Sequence, residues 1–225
     1  MPPLTCAKGG ATGLPRASSC RHGLTSESLS GESLMSHFEF FMVLAAVVVA
    51  VAMTEIVGGW GRLLRSSAEI KLDWLYLGWT LFVLLASMIY WVGMLPYESF
   101  QFAYLGHVWL LVIPTLFLVL VSFALSAEVP SDGDLRLRDH YLSKRRHIFF
   151  GLIGFIITGW LADFFITGYL SFREILYPAL MVIIFLSLAL TARIWIHSAL
   201  LVVTLAIHLP MAFLEMDGFL ARFSS

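Results

Sequence analysis

Residues 38–60 read FEFFMVLAAVVVAVAMTEIVGGW, an apolar run in which only Glu39 and Glu55 carry charge. About 20 such residues, wound as a helix, cross the ~30 Å hydrocarbon layer of a bilayer. Five further runs follow, approximately Trp74 to Met94, Phe102 to Leu125, Ile148 to Leu170, Ile175 to Leu190 and Ile194 to Phe213. The pattern predicts an all-α fold, a polytopic transmembrane bundle of six membrane-spanning helices forming a single domain from residue 35 to 225. The fifth run is the shortest, and is expected to tilt less than the others or to be partly re-entrant. Short connections between the runs make successive helices antiparallel.

Composition agrees. Of 225 residues, 59% are hydrophobic and 13% charged, and the mean hydropathy is +0.86. One water-soluble core could not hide that many apolar side chains, so a soluble enzyme is excluded. Fourteen Lys and Arg stand against fifteen Asp and Glu. Without a basic excess, no nucleic-acid partner is expected; the bilayer is.

The residue inventory removes further chemistry. Both cysteines, Cys6 and Cys20, precede the first apolar run, so the membrane body has no thiolate for zinc, an iron–sulfur cluster or nucleophilic catalysis. Lys8, Lys71 and Lys144 all fall outside the runs, which excludes a retinal-type Schiff base. The motifs of phosphate loops, serine-hydrolase elbows and zinc-peptidase helices are absent from the sequence, and this weakens an enzyme reading. Residues 1–34 are rich in Pro, Ser and Gly and have no signal-peptide core, so this leader is expected to be disordered. Met35, followed by Ser36-His37-Phe38-Glu39, has the look of a natural start before a membrane helix, which would make the leader a misassigned start.

Lys and Arg set the expected orientation. Arg62, Arg65 and Lys71 fall in the first loop; Arg136, Arg138, Lys144, Arg145 and Arg146 in the third; Arg193 in the fifth. With six spans these loops share one side, while the other carries only Arg173 and Arg222 beyond the leader. The positive-inside rule places loops one, three and five in the cytoplasm and both termini outside. Trp60, Trp74, Trp91 and Trp195, with Tyr90 and Tyr169, fall near span ends like an interfacial belt.

Two stripes of small residues recur at four-residue spacing, Ala46-Ala50-Thr54-Gly58 in the first span and Gly154-Thr158-Ala162 in the fourth. Both are expected to serve close helix packing within one subunit rather than dimerisation. Asp163, Gly159 and Thr167 occupy the other side of the fourth span, which would make that helix central.

The sharpest polar pattern lies in the last span. At ~100° per residue, Arg193, His197, Thr204, His208 and Glu215 fall within about 60° of arc. Ionisable groups are costly in hydrocarbon, so this stripe is expected to face the bundle interior or a wet cavity. Pro210 should loosen the helix beside His208. Counting ~1.5 Å per residue from the span ends puts His107, Asp163 and His208 at one outer level. Together they could bind a divalent metal or relay protons, and His107 with His208 could ligate a haem. Alternatively each group hydrogen-bonds a neighbour and only orients helices. Glu55, near the inner boundary, is expected to pair with Arg193 or His197, since Arg62 is seven residues away. The third-loop segment from Asp139 to His147 is expected to meet anionic lipid headgroups, with a cytoplasmic partner site as the alternative.

Phe38-Glu39-Phe40, Trp91, Pro114, Pro130, and Tyr141 followed by Arg145-Arg146 and Phe149-Phe150 resemble a widespread group of uncharacterised bacterial six-helix integral membrane proteins. The likeness covers most of residues 35–160 and implies a bacterial inner membrane, with no assigned chemistry or cofactor. Three readings stay open: a small transporter or channel-like protein, expected to be a homo-oligomer, using the stripe together with Glu55 and Asp163; a metal- or haem-binding redox protein using His107, Asp163 and His208; and a non-catalytic scaffold.

Overall fold

A computed structural model of the chain describes residues 37–66, 70–99, 105–127, 135–168 and 172–223. The leader over residues 1–34 lies outside the described residues. Six helices follow one another: α1 (His37–Arg65), α2 (Trp74–Gly93), α3 (Leu105–Leu125), α4 (Leu137–Thr167), α5 (Phe172–Leu190) and α6 (Ile194–Phe223). A 3-10 turn, Leu95–Ser99, extends α2. Between the helices, β1 (Ile70–Lys71) pairs in parallel with β2 (Leu135–Arg136).

The fold is all-α, and three of the helical segments, Phe38–Arg65, Trp74–Tyr97 and Leu137–Thr167, are long and apolar enough to cross a membrane. The apolar parts of the other three are shorter among the described residues, at Trp109–Leu125, Ile175–Leu190 and Ile194–Pro210.

From Ala45 onward the buried residues of α1 are Ala45, Val49, Ala52, Ile56, Gly59 and Leu63, an alternating four-and-three spacing that makes one seam. That seam meets α3 and α2. Val43, Val47, Val51 and Val57 are exposed. The small-residue stripe drifts across the far side of the helix, from about 100° off the seam at Ala46 to about 180° at Thr54. Ala50 and Thr54 are consequently exposed, and the expectation of internal packing fails for α1. It succeeds on α4: a Cβ on Gly151 or Gly154 would run into Val121 or Phe117 of α3, so the glycines let these helices approach closely.

One central helix is α2, which touches α1, α3, α4 and α6. Its buried residues Tyr76, Trp79, Phe82 and Val83 head the core. The fourth helix, expected to be central because it carries polar residues on two faces, is an inner element as well: α4 packs closely against α3 and α5 and also meets α2. A nearly featureless apolar helix gives no such signal, yet Gly78 on α2 is bare where Leu201 of α6 packs against it.

The basic loops gather at one end. Asp73 caps α2 by accepting from Leu75 N at 2.9 Å, and it takes the Arg138 guanidinium at 2.5 Å. This ties the first loop to the third, beside the β1–β2 pair. The fifth connection meets the same end through His197 of α6, which bonds both the Thr191 carbonyl and the Tyr141 hydroxyl at the start of α4. The expected third loop is also shorter than its polarity suggested, since Asp139 to His147 form the opening turns of α4. Hydropathy marks where a span leaves apolar surroundings, but a helix ends only where its backbone bonds end. Here Leu137 and Tyr141, buried at consecutive turns, hold the polar stretch helical.

Candidate functional site

The inward face of α6 is read from three residues four or seven apart. His197 and Thr204 are fully buried, and His208 is half-buried. Leu201, on the same face, fits against Gly78, so the glycine in α2 is what lets α6 bring this face into the bundle. Arg193 sits just before the helix and is exposed, while the side chain of Glu215 lies outside the described residues. The stripe is therefore a buried core of three polar groups with an exposed cation at its start.

His197 is fully engaged. Its Nε2 lies 2.9 Å from the carbonyl of Thr191, which can only accept, so Nε2 carries the proton. Its Nδ1 then accepts from the Tyr141 hydroxyl at 2.6 Å. The buried Tyr141, from the first turns of α4, thus locks α4 to α6 through a neutral imidazole of fixed tautomer.

His208 is engaged on one side only. Its Nδ1 lies 2.7 Å from the Tyr177 hydroxyl of α5. Its Nε2 is buried and, among the described residues, has no hydrogen-bond partner. The same holds for Thr204 Oγ1, one turn earlier on the same face, and for Trp79 Nε1 on α2. A buried donor or acceptor left unmade costs about 1–3 kcal/mol. Side chains at i and i+4 have Cβ atoms about 5–6 Å apart, a spacing that a small polar species can bridge.

Aromatic rings separate the two histidines. Phe82 lies tilted against His208 at 5.2 Å and edge-on to Trp79 at 5.6 Å, and Trp79 meets Phe149 edge-on at 4.9 Å. Phe149 in turn lies 5.8 Å from His197, and Phe185 touches Trp79, Phe82 and Phe149. Between the upper and lower pair the interior is a packed, apolar wall.

The remaining sequence candidates go elsewhere. Glu55 pairs with Arg62 at 2.7 Å, contrary to the expected Arg193 or His197 partner. Gly58 and Gly59 leave the helix surface between them bare, so the long guanidinium side chain lies back along α1 and spans the two turns; Arg62 also reaches Ser126 at the end of α3. Asp163 accepts from Tyr97 in the 3-10 turn at 2.8 Å. His208, by contrast, meets Phe82 in the first half of α2. The structure does not bring these two groups to a common partner. The side chain of His107 lies outside the described residues, and among the described residues no three His, Cys, Asp or Glu are grouped to hold a metal.

Sequence reasoning missed Tyr141, Tyr177 and Trp79. Their signal was a tyrosine or tryptophan inside an apolar run, where the polar tip demands a partner. Tyr141 lies outside the apolar runs, in a stretch whose polarity suggests a loop, so it gives no such signal. Comparison with known families, with curated proteins and with solved structures finds no match.

Proposed function

We propose that this chain is a multi-pass protein of a bacterial inner membrane, a small transporter or channel-like protein that moves a proton, ion or small polar solute along the inward face of α6. The observation that carries the reading is the pair of unmade, buried hydrogen-bonding groups, His208 Nε2 and Thr204 Oγ1, one turn apart on one face. A helix that only needed an anchor would have these groups satisfied, as His197 is, or replaced by apolar ones. In this reading His208, with Tyr177, is the exchange point, and Phe82, Trp79, Phe149 and Phe185 form the barrier that the moving species must pass. The shared end of the basic loops supports the cytoplasmic assignment of loops one, three and five, given six spans. The many exposed apolar side chains, Val47, Leu120 and Val202 among them, support a lipid partner for the outer surface.

The scaffold reading has one observation in its favour: both nitrogens of His197 are used for helix contacts. Proteoliposomes separate the two readings. His208→Gln keeps a hydrogen-bonding group toward Tyr177 but cannot carry a proton. For proton flux the transport reading expects it to fall to the level of empty vesicles while the protein stays folded, and flux equal to wild type would refute the proton pathway. For solute or ion flux the corresponding variant is His208→Ala with Thr204→Val, with the same two outcomes.

A further inference from the structure

At the end where the basic loops gather, α3 and α4 leave a groove of about 980 Å³ between them. One wall and floor are apolar: Phe117, Leu120, Phe123 and Ala124 from α3 and Phe150 from α4. Leu120, Phe123 and Phe150 expose about half or more of their surface, 62%, 55% and 49% respectively. The mouth is cationic. Lys144, Arg146 and His147, all exposed, line it from the first turns of α4, together with His140 and the Ser126 end of α3. His140, Lys144, His147 and Gly151 are spaced four, three and four, so one face of α4 runs from basic to bare along the groove. Because Gly151 and Gly154 bring α3 and α4 close together below the mouth, the apolar part is a shallow furrow.

From this arrangement we infer that the α3–α4 groove is a binding site for an anionic phospholipid of the leaflet on the basic side, its phosphate at Lys144 and Arg146 and an acyl chain along Leu120, Phe123 and Phe150. The occupant follows from two requirements that the surface sets together. A soluble anion would satisfy the cations and leave the phenyl rings bare, and a neutral lipid would cover the rings and leave the cations unpaired. Only a molecule with an anionic head on a long apolar tail meets both, and a cationic pocket between helices near a cytoplasmic surface is where such headgroups bind. Among the described residues no carboxylate lines the groove to compete for Lys144 and Arg146. The site is remote in chemistry from the α6 face: the two share no residue, so the lipid holds α4 from outside while Tyr141 holds it from inside.

The test uses the full chain in nanodiscs of mixed phosphatidylglycerol and phosphatidylcholine, with spin-labelled versions of each lipid and native mass spectrometry of the lipids retained. Wild type should retain phosphatidylglycerol and prefer its spin-labelled form over phosphatidylcholine, with the preference falling as salt is raised. Lys144→Gln with Arg146→Gln should lower that preference at least fivefold. Arg65→Gln with Lys71→Gln removes the same charge at the same end but outside the groove, and should leave most of the preference in place. Leu120→Asn should reduce retention with every cation intact, and glycerol phosphate at millimolar concentration should not displace the lipid. Equal loss in both charge pairs would mean a diffuse attraction and overturn the site, as would unaltered selectivity in the groove variant or displacement by glycerol phosphate.

Discussion

Two tyrosine–histidine pairs hang on α6, eleven residues apart, and they differ in one atom. In the Tyr141–His197 pair both ring nitrogens have partners; in the Tyr177–His208 pair Nε2 has none. The first pair has the properties of a strut, since its tautomer is fixed by a carbonyl and an apolar substitution strands a buried hydroxyl. The second has the properties of a site, since the imidazole keeps capacity for another bond in surroundings where unmade bonds are costly. The type of residue therefore says less about role than the count of partners does.

Function and stability should separate along this difference. The largest effect is expected in proteoliposomes, where His208→Ala should lower flux at least tenfold while Thr204→Val lowers it severalfold. If His197→Gln lowered flux as much as His208→Ala with the fold intact, the two pairs would not differ as argued. Next comes stability: His197→Leu leaves the Tyr141 hydroxyl buried and unpartnered, a cost of about 1–3 kcal/mol, to be read as a lower melting temperature in detergent. His208→Leu should cost less, because an already unsatisfied nitrogen leaves with it.

A smaller effect sharpens how α6 is seated. Gly78→Ala puts a methyl where Leu201 lies, and overpacking of this kind costs typically about 1–3 kcal/mol. Leu201→Ala should restore part of the loss, so the double variant should melt above Gly78→Ala; simple additivity would remove the claimed close approach of α2 and α6. The smallest effect is expected at Glu55→Gln. Its Arg62 partner is about half exposed, at 47%, and such pairs contribute about 0–1 kcal/mol. A melting shift as large as that of His197→Leu would show that the ion pair is more than a surface contact.

Much of this contrast was legible in the sequence and part of it was not. The periodicity of His197, Thr204 and His208 gave their shared face, because helical geometry fixes relative azimuth within one element. It could not say which histidine was satisfied, since that depends on Tyr141 and Tyr177 arriving from α4 and α5. The helices themselves were marked by their apolar runs, but α4 begins well before its run because helical hydrogen bonding continues through Lys144, Arg145 and Arg146. Glu55 and Arg62 pair across two turns because Gly58 and Gly59 clear the surface between them, a local circumstance that residue spacing alone does not weigh. The centrality of α2 was invisible for the opposite reason: buried and lipid-facing helices have the same composition when the solvent is itself apolar.

The most direct test of the inward polar face is thiol accessibility in a membrane. With Cys6 and Cys20 replaced by Ser, single substitutions Thr204→Cys and Val203→Cys place one thiol on the buried face and one on the exposed face of α6. Transport requires the buried α6 face to open to water, so a small, water-soluble thiol reagent should modify the thiol at 204 during turnover and spare the exposed one at 203, which in the proposed reading faces acyl chains. Modification at 203 with protection at 204 would contradict the account.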